Sequence, residues 1–347
     1  MKALLLSKPA HLEITELPIP VPGPNEVLVK VAACGICGSD VHGYDGSTGR
    51  RIPPIVMGHE AAGAVAQLGR AVAGFSLGDR VTFDSTIYCG ECAFCRRGEF
   101  NLCNNREVVG VSCADYRRAG AFAEFVVVPA RVLSRIPESM SFSEAAMLEA
   151  VAVALHAVSL APKPRGSSAV VVGAGMIGLL VLQALRVAGC SHVLVIDLDP
   201  SRLKLAEQLG ATATARSTDS DLQGRLLDFS NGEGADIAVE AVGTSETVNL
   251  AIDSVRKGAS VILVGNVAPS VTIPLQKVVT RQLRLQGSCA SAGEYAQAIE
   301  LVSRGSIRVK PLISAVAPLD EGPEWFARLY AREPNLMKVV LTPGGIS

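Results

Sequence analysis

From Ser168 onward the chain alternates short apolar runs with helix-like ones, and that alternation leaves few folds open. SAVVVGAGMIGLLVLQALRVAG reads as a buried strand, a glycine turn and a helix, and HVLVIDLDPSRLKLAEQLGA repeats the order. ADIAVEAVG, a helix around Glu246 to Arg256, and ASVILVGN continue it, with LRLQGS as a last strand. Strands apolar on both faces and joined by helices predict a parallel sheet covered by helices on both sides, an α/β arrangement.

Before the linker APKPRGSS the pattern is different. A proline-rich lead-in, LPIPVPGPN, precedes EVLVKVAA, and GAVAQLG, DRVTF and AFAEFVVVP follow as short β-like runs punctuated by Gly and Pro. SFSEAAMLEAVAVALHAV has helical spacing, with Ser141 or Ser143 as N-cap. After about Ala290 the tail mixes helix and strand character and is expected to return to the first domain. A chain of 347 residues has the length for two domains. Their expected bounds are 1–158 with 291–347 for the β-rich domain, and 159–290 for the parallel sheet.

Bulk composition excludes several partners. A net charge of −1 and a pI near 6.5 give no electrostatic reason to expect nucleic acid or an anionic membrane. MKALLLSKPAHLEITE breaks its apolar run too early for a signal peptide. The stretch from Gly166 to Leu185 falls short of the ~20 apolar residues of a membrane helix and carries four glycines. A soluble cytoplasmic protein with a small-molecule partner is expected. Of nine cysteines, Cys34, Cys37, Cys113, Cys190 and Cys289 are scattered; the other four cluster, which without a secretory signal points to metal rather than disulfides.

Gly173, Gly175 and Gly178 form GAGMIG between a strand and a helix, the context in which such a motif binds a dinucleotide. The first glycine permits the turn, the second lets backbone approach a pyrophosphate, and the third lets helix pack on strand. The helix N-terminus offers free N–H groups to the phosphates. Asp197, at the end of the second strand, is placed to bind ribose hydroxyls and to repel the extra phosphate of NADP. Arg202 nearby could accommodate that phosphate, but Asp197 favours NAD. Ile177 and Val264 are expected at the same cofactor site. A flavin or S-adenosylmethionine site, or a turn without ligand, are the alternatives.

Cys89, Cys92, Cys95 and Cys103 follow a C-x2-C-x2-C-x7-C spacing that suits a tetrahedral, thiolate-bound Zn²⁺. Four protein ligands close the site, so this zinc would be structural, and a catalytic one must lie elsewhere. CGICGSDVH (Cys34 to His42) and GHE (Gly58 to Glu60) supply Cys37 and His59 as candidate donors. Each alone reads more readily as a buried core residue.

Taken together, CGICGSD, GHEAAGAVAQLGRAV, the cysteine run and GAGMIG, in that order over essentially the whole chain, resemble the zinc-dependent medium-chain dehydrogenase/reductase family. MLEAVAVALHAV and VKPLISAVAPLDE are most similar to its polyol (sorbitol or iditol) dehydrogenase branch. The resemblance implies a GroES-like β-rich catalytic domain plus a Rossmann doubly wound domain, in a homodimer or homotetramer. It implies two zinc ions per subunit and hydride transfer from a secondary alcohol to NAD, giving a ketone.

By matched position, Cys37 and His59 would bind the catalytic zinc, and Glu60 would bind it or stand beside it. Glu149 would bind it directly or through water, and Asp40 would orient His59. Lys338 would lie near Glu60 and the cofactor phosphates, while Ser39 and His42 would relay the released proton. Two departures bear on substrate: Ala150 stands where sorbitol-type enzymes usually have Pro, and Ala290 near the place of a hydroxyl-binding Arg. L-threonine 3-dehydrogenase and sugar-alcohol-phosphate dehydrogenase stay open within the class. A non-catalytic zinc- and nucleotide-binding protein stays open outside it.

Overall fold

Apolar runs joined by helices pair as expected: six strands form one sheet, parallel throughout. The structure is a computed structural model describing residues 1–111 and 117–344; Cys113 lies outside the described residues. Across the sheet the strands run Ala213–Arg216, His192–Asp197, Ser168–Val172, Ala235–Glu240, Val255–Leu263 and Arg284–Gly287. Counted along the chain this is the order 3-2-1-4-5-6 of doubly wound dinucleotide-binding sheets, whose ligands sit beyond the strand carboxyl ends at the switch of direction. Here the switch lies between Ser168–Val172 and Ala235–Glu240, where Val172 pairs with Glu240. Val170, Val172, Leu194, Ile196, Ala238 and Val261 are buried. The helix Met176–Val187 is buried from Gly178 through Leu185, so it is a core helix rather than an amphipathic one.

Three boundaries differ from expectation, the first being the end of the β-rich unit, at Ala152 rather than 158. The helix expected at 246–256 spans Ser245–Asp253, capped by Thr244 and Thr247, and stops where the strand Val255–Leu263 begins. The returning tail is interrupted as well. The parallel-sheet unit comprises Val153–Ala290 with Arg304–Arg308. Gln183 binds that short segment in both directions: Nε2 donates to the Arg308 carbonyl at 3.2 Å, and Arg308 N donates to Oε1 at 2.8 Å.

The other unit comprises Met1–Ala152, Ser291–Ser303 and Val309–Ser347. Its main sheet orders Leu133–Arg135, Arg80–Phe83, Glu60–Leu68, Glu26–Gly35, Lys338–Thr342 and Ile313–Pro318, with Phe125–Pro129 also paired to Glu26–Gly35. The opening stretch, which has no strand signal beyond its short apolar run, forms a hairpin of Lys2–Lys8 and His11–Glu16. The expected helix after residue 141 is two, Phe142–Ala146 and Leu148–Ser159; Ser141 caps the first, in a capping box with Glu144. No helix among the described residues is long and apolar enough to cross a membrane.

Register in this sheet positions the site. Gly35 pairs with Glu60 on one side and with Val340 on the other, so the ends of three strands meet there. Cys37 follows the first, His59 precedes the second, and Lys338 opens the third.

Candidate active site

Cys37 is the N-cap of the helix Gly38–Gly43, so a thiol stands where Ser or Asp is usual. Its Sγ accepts from Ser39 N at 3.5 Å and from the Ser39 hydroxyl at 3.3 Å, while Cys37 N donates to Asp40 Oδ2 at 3.3 Å. The other Asp40 oxygen receives Arg51 Nε at 3.1 Å and Nη2 at 2.7 Å. Both partners are buried, and Arg51 Nη2 also donates to Ser39 Oγ at 3.1 Å. Burial alone would raise the Asp40 carboxyl, but His59 and the Arg51 guanidinium hold it well below the usual carboxylate range. Arg51 was not among the residues expected from the sequence.

His59 turns Nδ1 toward Asp40 Oδ1 at 3.5 Å, and that buried nitrogen has no hydrogen-bond partner. Donor atoms of Cys37, His59 and Glu60 all lie within 4.8 Å of one another. A thiolate, an imidazole and a carboxylate so close fit a zinc ion with a position left open. Glu60 is buried and also paired with Lys338, whose Nζ donates to the Ile36 carbonyl at 3.0 Å. Gly35 makes room for this pair: a Cβ there would fall 2.4 Å from Glu60 Oε2.

The remaining candidates lie around this group. Glu149, partly buried in the first turn of Leu148–Ser159, stands outside the compact trio. Burial pushes its carboxyl up to about 7; His59 opposes the shift, and Glu60 and Asp84 add to it. Ser39 and His42 are both exposed on the short helix after Cys37. Cys34 is fully buried, which drives its thiol well above the ordinary range, so it is a core residue. Three polar residues not expected from sequence, Asp84, Ser291 and Tyr295, belong to the same unit. Burial raises Asp84 to about 6 against the opposing hydrogen bond from Thr86.

In the cysteine run, sulfur–sulfur distances are 3.9 Å for Cys89–Cys95, 3.5 Å for Cys92–Cys95, 3.9 Å for Cys92–Cys103 and 3.5 Å for Cys103–Cys89. Four sulfurs held tetrahedrally at ~2.3 Å from one zinc lie ~3.8 Å apart, so the loop fits that ion as it stands. Backbone N–H groups of Cys89 and Asn105 point at Cys103 Sγ, and that of Cys92 at Cys89 Sγ, as thiolate charge requires.

In the parallel-sheet unit the glycine turn follows Val172. Gly173 has φ +99°, and a Cβ on Gly178 would fall 1.8 Å from the Gly173 carbonyl oxygen. Beside Gly175 the space is open to 4 Å, and this N-cap lends no side chain to the helix N–H groups, leaving them for a phosphate. Asp197 Oδ2 accepts from Ala174 N at 2.6 Å and Oδ1 from Asp199 N at 2.9 Å, which sets the carboxylate beside the turn. Arg202 is half-buried and lies 3.7 Å from Asp199. Ile177 and Val264 are partly buried, and Val264 N donates to the Glu240 carbonyl at 2.9 Å. Glu240, another residue not expected, is fully buried, and its Oε1 fixes the facing loop by accepting from Val242 N and Gly243 N at 2.8 and 2.7 Å.

Residues 23–138 match the alcohol dehydrogenase GroES-like domain, and residues 177–304 match the zinc-binding dehydrogenase family. The sorbitol dehydrogenase of Bacillus subtilis is 32% identical, over 99% of this chain and 97% of its own. D-xylulose reductase A of Aspergillus niger is 34% identical, over 92% and 91%. Among solved structures, a chain from Sinorhizobium meliloti 1021 described as a zinc-binding dehydrogenase, bound to NADP, superposes with a TM-score of 0.90 at 34% identity, over 99% of both chains. Donor set, glycine turn and these likenesses agree: the chain belongs to the zinc-dependent medium-chain dehydrogenase/reductase family, in its polyol dehydrogenase branch, and is an oxidoreductase.

Proposed function

We propose that the protein oxidises one secondary hydroxyl of a polyol or related sugar to a ketone, with NAD as acceptor and two zinc ions per subunit. The observation that carries this reading is the compact trio of Cys37, His59 and Glu60, joined to the sorbitol and xylulose enzymes by similarity along nearly the whole chain. When bound, zinc supplies Lewis acidity toward the substrate hydroxyl, and the dinucleotide supplies the hydride acceptor.

The chain's own residues do the rest. Cys37 and His59 hold the metal, and Asp40, pinned by Arg51, faces Nδ1 so that Nε2 is the ligating nitrogen. Glu60, with its charge balanced by Lys338, and Glu149 stand by as carboxylates that bind the metal directly or through water. Ser39 Oγ, against the Cys37 sulfur, takes the first step in moving the substrate proton outward. His42, exposed on the same helix, hands it to water, since one ring nitrogen can accept a proton while the other gives one up. The β-rich unit carries this machinery and the parallel-sheet unit the dinucleotide, with Gly173, Gly175, Gly178, Ile177, Asp197 and Val264 around it. Asp197 favours NAD; the NADP bound by the Sinorhizobium protein makes cofactor preference part of the test. A cytoplasmic homodimer or homotetramer goes with this proposal, and sedimentation of the purified protein tests the association.

The deciding experiment follows reduced-cofactor absorbance with xylitol, sorbitol, other polyols and L-threonine, using NAD and NADP, before and after chelation. Turnover of at least one polyol with NAD, lost on chelation and restored by zinc, is expected. Turnover of threonine alone would transfer the reading to the threonine enzyme. Two zinc ions bound without turnover of any alcohol would favour a non-catalytic zinc- and nucleotide-binding protein.

A further inference from the structure

Asp84 follows the strand Arg80–Phe83 and meets a segment that arrives from far along the chain. Ser291, 2% exposed, donates its hydroxyl to Asp84 Oδ2 at 3.3 Å, and Thr86 N donates to Oδ1 at 2.8 Å. Tyr295, at the start of the helix Tyr295–Ser303, is 5% exposed, and its phenol oxygen has no hydrogen-bond partner. Burial, and then the carboxylates of Asp84, Glu149 and Glu60 in the same unit, push that phenol well above its ordinary range.

Folding alone does not account for this arrangement. Phenylalanine would fill the same volume without stranding a buried O–H, and buried polar groups in folded proteins nearly always have a partner. A phenol can donate and accept, whereas an ionised carboxylate only accepts. A hydroxyl arriving between them can accept from Tyr295 and donate to Asp84; a bare alkyl chain can do neither.

We propose that Tyr295 and Asp84, steadied by Ser291, form a subsite for a second hydroxyl of the substrate, distinct from the one that is oxidised. This rests on the polyol reading above and adds the residues that separate a polyol from a simple alcohol. Tyr295 and Asp84 are thereby specificity-determining residues, and Ser291 is a positioning residue.

The test compares wild type, Tyr295→Phe, Asp84→Asn and Ser291→Ala on the best polyol of the xylitol and sorbitol panel and on 2-butanol, a secondary alcohol with no other hydroxyl. Tyr295→Phe is expected to raise KM for the polyol by about tenfold to a hundredfold, the loss of one well-placed hydrogen bond, with kcat nearly unchanged. On 2-butanol its kcat/KM should match wild type. Its Tm should hold or rise, because an unpaired buried hydroxyl has been removed. Asp84→Asn should also raise KM for the polyol, and Ser291→Ala by less, with the 2-butanol comparison read on Tyr295→Phe. Equal losses on both alcohols, or a loss on neither, would overturn the subsite while leaving the polyol reading intact. A wild-type protein that oxidises 2-butanol but no polyol would overturn that reading and the subsite with it.

Discussion

Cys37 caps a helix and, in the proposed function, has a second duty as a metal donor in the trio with His59 and Glu60. Serine keeps the cap and loses the soft donor, so in Cys37→Ser turnover should fall to background while circular dichroism and dinucleotide binding stay those of wild type. Near-normal turnover in that variant would remove Cys37 from the chemistry. Arg51 has the opposite character, touching no metal donor directly yet neutralising a fully buried Asp40. Removing one partner of a buried pair strands the other charge, so Arg51→Ala should cost about 3–5 kcal/mol in a denaturant titration. It should also weaken zinc retention, since His59 loses its fixed neighbour. Arg51→Lys keeps the charge but not the two-pronged contact, and should fall between the two. The sequence shows what Cys37 and His59 could donate because donor chemistry belongs to the residue. It does not show Arg51, because RRIPP says nothing of burial.

At the scale of single elements, local signals carried far. The glycine turn, the helix after it and the acidic strand end were all readable, because each depends on residues close in sequence. Gly178→Ala would push a methyl against the Gly173 carbonyl and force helix from strand. The dinucleotide should then bind at least about tenfold more weakly by fluorescence titration, since the phosphates rest on that turn. The cysteine loop is equally local, with four thiols inside fifteen residues and sulfur spacing already that of a metal cage. In Cys95→Ser the cage is broken, and the denaturation midpoint should drop because metal binding contributes to folding there. An unchanged midpoint would mean the loop holds itself together without an ion. The hairpin of Lys2–Lys8 and His11–Glu16 was not readable, because its strand pattern is weak and pairing with Ile55–Val56 completes it.

Across the whole molecule the two units differ in what stabilises them. The parallel sheet rests on its four central strands, buried on both faces, while the β-rich unit adds two clusters of candidate metal donors. Chelation should therefore raise hydrogen exchange in residues 89–103 and around residues 37 and 59, and leave Ser168–Val172 and His192–Asp197 protected. Equal loss of protection in both units would contradict this division. From the sequence by itself came the parallel sheet, the glycine turn and the cysteine cluster, because periodicity, glycine placement and cysteine spacing act over a few residues. Tertiary structure alone decided that Lys338 neutralises Glu60 from 278 residues away, and that Ser291 reaches Asp84 across 207. Such partners are chosen by strand register and burial, which bring distant segments together and leave no trace in the local pattern of either one.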